Sequence, residues 1–541
     1  MKNSELGDAL TRATLDVVSA PNEFDAIIVG AGAAGGLAAK LLTEAGRRVL
    51  VLDAGLRPSF WQAPYRRTTS NIVQTLADPV WMERLPMKLI NLGRRGLKLA
   101  GRVRQPVQAK CFAWEMSPEA LIDDRENPYT APKDAQFLWF RSRQLGGKMI
   151  VPGHGRQYFR MAAPDLAPKD DLSPAWPIDN GELSAWYDQV ENHLGLSGNY
   201  DECEWVPNSR LANDVTKLPA ETDLQAQIKD QWPKAQPLLG RYAAPSDSLV
   251  KAAQTGRMMC RQGAAAHRVE VDANGAANGV TWYDRRARAN KTARAPLVFL
   301  CASALESTRI LMLSKSARHP GGIGADSGAL GRNLMDHVIV GCSGLGGGLA
   351  DEPVDRSPGR CVYVPRFDLR HDNAQVDGRG YGIQLYQASI GKGRSGFTAV
   401  SFGEMTPRAN NRITLDPSRT DACGIPILNI ECRHSEVELA QASDQSQALK
   451  EIADLLDVNL YHHDTKPAPP GTAIHECGTA RMGTSPDMSV LDPNNQCWDA
   501  PGVYVTDGAS FPSQGALNPT LTIKALTARA CAHVTANNDS S

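Results

Sequence analysis

Six consecutive residues, Gly30-Ala31-Gly32-Ala33-Ala34-Gly35, constrain this chain more than any others. They spell GxGxxG, and their surroundings give the spelling its meaning. Ala26-Ile27-Ile28-Val29 is a short apolar run with β-branched residues and reads as a buried strand. Leu37 to Ala45 is rich in alanine and leucine and reads as helix, closed by Gly46. Val49-Leu50-Val51-Leu52 is a second strand, with Asp53 at its carboxyl end. Such a strand–turn–helix–strand unit suits a dinucleotide for separable reasons. The first glycine allows the tight turn, the second lets backbone touch a pyrophosphate, and the third lets helix pack on strand. The helix N-terminus offers free N–H groups and a positive dipole end to the phosphates. Asp53 lies 21 residues beyond Gly32, where a carboxylate can bind both ribose hydroxyls. The motif fits FAD and NAD alike, and an acid here disfavours a 2′-phosphate.

Further along the chain, Gly146-Gly147 marks a place where backbone can approach a ligand closely. Residues 181–195 carry a helical pattern, and 265–283 read as a β-hairpin turning at Asn274-Gly275. Leu297 to Cys301 is a buried strand followed by a helix. Residues 340–435 hold strand-like segments, including Tyr381 to Ser389 and Arg412 to Leu415, that suggest a separate antiparallel sheet. Residues 436–458 read as helix, Val503 to Asp507 as a last buried strand and Leu521 to Val534 as a last helix. Dinucleotide-type strands thus recur near the start, near residue 300 and near residue 505, with antiparallel material between them. The expected fold is α/β, with a second domain inserted into the first. The expected division is 22–195, mainly nucleotide-binding with a lid, and 196–335, its second part. Residues 336–465 are then mainly an α+β substrate domain, and 466–541 the return to the first domain.

At 541 residues the chain is long enough for two sizeable cores. Its formal net charge of -1 gives no reason to expect nucleic acid. The local basic run Arg94, Arg95, Lys98, Arg102 and Arg104 reads as a solvated helix face. Residues 1–22 lack the continuous apolar region of a secretory signal, and no run approaches the about 18 apolar residues of a membrane helix. Eleven scattered cysteines without a CxxC pair fit a reducing cytoplasm. No metal is expected. His462, His463 and Asp464 are adjacent, neighbouring histidines on a helix point to different sides, and no further ligand spacing is visible.

The C-terminal third carries a resemblance. His475-Glu476-Cys477-Gly478-Thr479-Ala480-Arg481-Met482-Gly483, then Ser489-Val490-Leu491-Asp492, Gly502 to Pro512 and Asn518-Pro519-Thr520-Leu521-Thr522-Ile523 resemble the signature of the glucose–methanol–choline (GMC) oxidoreductases. Gly331 to His337 and Leu300 to Ser307 are similar to further segments of that family. With the glycine motif and Gly146-Gly147, the matches span nearly the whole chain. The resemblance implies FAD rather than NAD, in a Rossmann-like domain of the GMC type, with the inserted domain built on an antiparallel sheet. It implies a cofactor site of Gly30, Gly32, Ala33, Ala34, Gly35, Asp53, Gly146, Gly147, Val269 (pairing its backbone with adenine), Asp507, Asn518, Pro519 and Thr520. Val151 stands where some members attach FAD to a histidine, so non-covalent FAD is expected, with His154 close by.

The resemblance also implies that His475 and Asn518 are catalytic. Alcohol oxidation removes a hydroxyl proton and passes a hydride to flavin N5, so it needs a base near pH 7 and donors for the charge on oxygen. The stretch Asp124 to Thr130 and the Phe137 to Gly147 segment look like the bacterial branch holding sugar and glycoside dehydrogenases, similar to pyranose oxidase. A sugar or glycoside is therefore the expected substrate. An aryl or allylic alcohol is the alternative, and a non-redox lyase on the same fold a remote one. Gln384, Tyr386 and Gln387 can bond a polyol or line an aromatic slot. The electron acceptor (oxygen, quinone or cytochrome) leaves no mark in the sequence, nor does assembly as a homo-oligomer or with a small partner subunit.

Overall fold

The structure is a computed structural model that describes residues 23–56, 92–93, 95–96, 99, 101–244, 246–346, 359–371, 379–389 and 395–536. Its first sheet has five parallel strands in the order Val503–Val505, Val298–Leu300, Ala26–Val29, Val49–Asp53 and Met258–Gln262. Ala26–Val29 and Val49–Asp53 are buried at every residue, as a strand covered on both faces must be. This explains why they read as unbroken apolar runs. The fifth strand, Met258–Gln262, escapes sequence reading because Arg261 and Gln262 break its apolar run. Arg261 instead donates a 2.6 Å bond to the buried carboxylate of Asp284.

The helix after the first strand runs Ala33–Glu44, four residues earlier than composition suggested. The glycine turn itself already forms its first helical turn. An added Cβ on Gly35 would lie 1.9 Å from the Gly30 carbonyl oxygen, so only glycine lets the helix sit this close to the strand.

The second sheet has six strands in the order Val458–His463, Val338–Gly346, Ser395–Gly403, Tyr381–Ser389, Val362–Val364 and Leu238–Leu239, all antiparallel. Helix Glu436–Leu455 lies across it. Ser435 caps that helix, and Glu438 returns a 2.6 Å bond to the Ser435 N–H, the reciprocal capping box. Gln445 from its buried side reaches the Val338 carbonyl and the Ser401 hydroxyl.

Three expectations need correction here. Arg412 to Leu415 does not join the large sheet. It belongs to Arg412–Thr420, which pairs only with Pro426–Glu431 in a two-stranded ribbon. His462 and His463 lie on an edge strand, since the helix already ends at Leu455. There His462 sits 3.2 Å from Asp464 and His463 bonds Ser446. The expected hairpin at 265–283 is present as Ala264–Val271 and Ala277–Asp284, but a third strand, Ala289–Ala293, extends it. Of the basic run, Arg94 and Lys98 lie outside the described residues, and Arg104 pairs with Asp123 and Glu126. Among the described residues no helix is long and apolar enough to cross a membrane.

Candidate active site

A cavity of about 1050 Å³ runs from the glycine turn to the face of the antiparallel sheet. At one end it is walled by Gly30, Gly32, Ala33, Ala34 and Asp53, and at the other by His475, Asn518, Gln384, Tyr386 and Phe402. Gly147, Asp507, Pro519 and Thr520 also line it. Gly35 and Gly146 do not. They shape it, Gly35 by close packing and Gly146 by a φ of 87° with its N–H on the Ala31 carbonyl.

The residues present fit a dinucleotide. A Cβ on Gly32 would meet nothing within 4 Å, so the backbone there faces open space. Gly32 is the helix N-cap and supplies no side-chain cap, which leaves the first N–H groups for an anion. Asp53 is fixed by N–H bonds from Ala31 (3.1 Å) and Gly55 (2.8 Å), and burial pushes its pKa up. Both bonds hold the carboxylate at the strand end against the cavity. Asp507 is held likewise by Ser307 (2.5 Å) and the Ala509 N–H (3.0 Å), with burial raising its pKa to about 6. Val269 is a correction. It is buried off the cavity and its N–H is taken by the Ser314 hydroxyl at 2.8 Å. The strand instead presents Ala264, Ala265 and Ala266 to the cavity, because it enters from its N-terminal end. Val151 is fully buried away from the cavity, while His154 is on its wall, stacked with Phe112 at 5.0 Å.

At the far end, hydrogen bonds fix both the position and the protonation of His475. His337 Nε2 lies 2.9 Å from the Gly515 carbonyl oxygen, which can only accept. Burial lowers the His337 pKa to about 4, so its ring is neutral near pH 7 and carries its one proton on Nε2. Its Nδ1 is then a lone pair, and it sits 2.9 Å from His475 Nδ1. That nitrogen must donate. Burial first, and then the charge of Lys148, hold the His475 pKa well below the usual histidine range. His475 is therefore neutral, with its free lone pair on Nε2, the nitrogen facing Asn518 at 3.4 Å.

Asn518 is oriented by the same logic. Its Oδ1 accepts from Gln384 Nε2 at 2.7 Å, which turns Nδ2 toward His475. Gln384 Oε1 accepts from the Tyr386 hydroxyl at 3.0 Å, and Tyr386 accepts from Gln157 Nε2. The donors thus run one way from Gln157 to the Gly515 carbonyl, through both predicted catalytic residues.

The backbone of His475 is held as firmly as its ring. Asp336 accepts from the N–H groups of Gly471 (2.7 Å), Ala473 (3.1 Å) and His475 (2.9 Å). Burial and the nearby Glu476 carboxylate push its pKa up to about 7 against those three bonds. The clamp encloses Ile474, whose φ of 64° is rare for a β-branched residue. Glu476 in turn pairs with Lys148 at 2.9 Å. Asp336, His337, Lys148 and Gln157 were given no role by sequence reading. The available signal was the adjacent acid–imidazole pair directly before the apolar Val338–Gly346 strand.

A family model described as GMC oxidoreductase matches residues 407–527, and one described as NAD(P)-binding Rossmann-like domain matches 28–80. The 2-methyl-1,2-propanediol dehydrogenase of Mycolicibacterium austroafricanum is 27% identical over 408 residues, 66% of this chain and 73% of that protein. The paromamine 6'-oxidase of Streptomyces fradiae is 25% identical over 542 residues, 93% of this chain and 89% of that one. A C-glycoside 3-oxidase of Microbacterium trichothecenolyticum is 32% identical over a shorter stretch of 133 residues, 24% of this chain and 25% of that protein. Among solved structures, the formate oxidase of Aspergillus oryzae RIB40 shares the fold with a TM-score of 0.62 at 14% identity, covering 97% of this chain and 100% of that one. The pyridoxine 4-oxidase of Mesorbium loti does so with 0.57 at 17%, covering 94% and 98%.

Proposed function

We propose that the chain is a GMC oxidoreductase, an FAD-dependent enzyme acting on CH–OH groups, and that it oxidises a hydroxyl of a sugar or glycoside with His475 as base. The observation that carries the reading is the orientation of the catalytic pair. His475 Nε2 is an unprotonated lone pair on the cavity wall, and the Asn518 amide N–H points to the same spot. When bound, FAD supplies the hydride acceptor. His475 Nε2 takes the proton from the hydroxyl oxygen as hydride leaves the carbon that bears it, and the Asn518 Nδ2–H donates to that oxygen while negative charge develops there. Imidazolium formation at His475 strengthens its Nδ1–H bond to His337, whose lone pair is fixed in place to receive it.

The sugar class rests on the wall opposite. Gln157, Gln384, Tyr386, Thr398 and Ser343 put amides and hydroxyls on one side of the cavity, the groups that match a polyol. Relatives named for paromamine and C-glycosides support it. The expected division into a nucleotide-binding domain (22–195, most of 196–335, and 466–541) and a substrate domain (mainly 336–465) belongs to the same proposal, with Leu238–Leu239 joining the antiparallel sheet from the first.

The test is anaerobic. Flavin-loaded protein is mixed with a glycoside panel and, separately, an aryl-alcohol panel, and the flavin band is followed. Bleaching by glycosides, lost by about 10² or more in rate in His475→Ala with flavin still bound, is the expected result. Bleaching only by aryl alcohols transfers the substrate to that class. Full-rate bleaching in His475→Ala removes the histidine from its role.

A further inference from the structure

Arg156 stands out among the buried arginines. It lines the cavity and is 8% exposed, yet its Nη1 is buried with no hydrogen-bond partner. Its charge has no ion pair among the described residues. Arginines of similar burial are all engaged. Arg160 pairs with Glu191 and Asp188, Arg309 with Glu306 and Asp421, and Arg370 with Asp444 and Glu451. Arg141 bonds the Asn127 carbonyl and Arg241 the Ser209 hydroxyl. A guanidinium keeps its proton in proteins, so this one is a desolvated cation without compensation. A buried charge left this way is costly unless a partner arrives from outside the chain.

Its place in the fold says which end of the cavity that partner occupies. Gln157, the next residue, bridges to Tyr242 and bonds Tyr386 on the antiparallel sheet. A Cβ on Gly359, just before the Val362–Val364 strand of that sheet, would lie 2.8 Å from Arg156 Cβ. Arg156 therefore belongs to the sheet end, beside His154. The carboxylates that line the cavity are already engaged. Asp53 holds Ala31, Glu306 holds Arg143 and Arg309, Glu476 holds Lys148, Asp507 holds Ser307, and Asp464 holds the Gly341 N–H.

We propose that Arg156 binds an anionic group of the substrate, so that the alcohol oxidised here carries a carboxylate. The planar fork of Arg156 matches a carboxylate, and although Lys110 also lines the cavity it is exposed, so the desolvated charge that calls for a partner is that of Arg156. The inference rests on the reading of the cavity as an alcohol-oxidising site. It also separates this protein from a cationic amino-sugar substrate, which would face an unneutralised guanidinium.

Matched pairs test it on the flavin-loaded full chain. Methyl β-D-glucuronide is compared with methyl β-D-glucoside, and 4-(hydroxymethyl)benzoate with benzyl alcohol, by anaerobic flavin reduction. In at least one pair the carboxylate member is expected to have a kcat/KM about tenfold or more above its neutral partner. Arg156→Gln is expected to collapse that ratio toward one, and Arg156→Lys, which keeps the charge and loses the fork, to restore part of it. A neutral member preferred in both pairs, or a preference that survives in Arg156→Gln, overturns the proposal. So does loss of flavin from Arg156→Gln, which would assign the guanidinium to the cofactor. Benzoate is also titrated against the visible flavin band as a ligand that cannot react. If no alcohol bleaches the flavin but benzoate perturbs the band in the parent protein and not in Arg156→Gln, the anion site stands and the alcohol-oxidation reading fails. If benzoate perturbs neither and no alcohol reacts, both fail.

Discussion

The rings of His337 and His475 meet nitrogen to nitrogen, Nδ1 to Nδ1 at 2.9 Å with planes 84° apart, and only one of the two can be donating. The Gly515 carbonyl decides which. Because His337 spends its proton there, His475 must give its own to His337, and the nitrogen left bare is the one that faces the cavity.

Replacing His337 therefore changes protonation more than shape. His337→Leu frees the His475 tautomer, and the expected result is a kcat lowered by about tenfold or more with flavin retained and KM changed far less. Stopped-flow flavin reduction separates the two constants. A KM effect of the same size with kcat preserved would instead mark His337 as part of the substrate wall.

The depressed pKa of His475 carries a sign. Burial and the nearby Lys148 ammonium disfavour its protonated form, so the neutral base persists to a lower pH than an ordinary histidine allows. The rate of flavin reduction is expected to stay level as pH falls through 6.5, with its acid limb well below that value. An acid limb centred near 6.5 that persists in Asp336→Asn would show that the base is solvated, since Asp336 itself is pushed up to about 7. In His337→Leu the limb should also move, because the hydrogen-bond partner of the imidazolium is gone.

Asp336 makes no contact with the cavity, yet it holds three backbone N–H groups around a strained residue. Asp336→Asn turns an amide N–H against at least one of them. A loss of about 1–3 kcal/mol is expected from each donor left unsatisfied, read as a lower denaturation midpoint, together with a reduced kcat as the 471–475 loop relaxes. Unchanged stability would mean that the loop holds its geometry unaided.

Two glycines of one motif should fail differently. Gly35→Ala drives a methyl group into the Gly30 carbonyl, so soluble yield and thermal stability should drop whether or not flavin is added. Gly32→Ala meets no protein atom, so the apoprotein should fold normally and bind FAD more weakly. Flavin content after purification and thermal melts with and without added FAD check both. Equal damage to apoprotein stability in the two variants would contradict the assignment of Gly32 to the cofactor.

Much of this was legible in the sequence because it is written locally. The glycine turn, its flanking strands and Asp53 lie within 28 residues, and each announces itself by composition. The strands at 298–300 and 503–505 are short apolar runs, readable for the same reason. The Met258–Gln262 strand was not, since Arg261 and Gln262 break its apolar run and the partner of Arg261, Asp284, lies on another strand. Val269 illustrates the limit of transferring a position by resemblance. The strand that carries Val269 does reach the cavity, but at Ala264 to Ala266, and only the three-dimensional approach angle decides that. Histidine tautomers are less legible still. His337 and His475 are 138 residues apart, and Gly515 contributes a backbone carbonyl that no residue type reveals.

The amide of Asn518 is aimed by Gln384, a residue of the same strand, Tyr381–Ser389, that walls the substrate space. Substitutions on that strand which admit a new molecule also disturb the amide that the proposed mechanism aims at the reacting oxygen. In a lineage built on this arrangement, taste and speed are inherited together. A relative that changes its substrate by altering this strand must either keep an amide at position 384 or find another way to point Asn518.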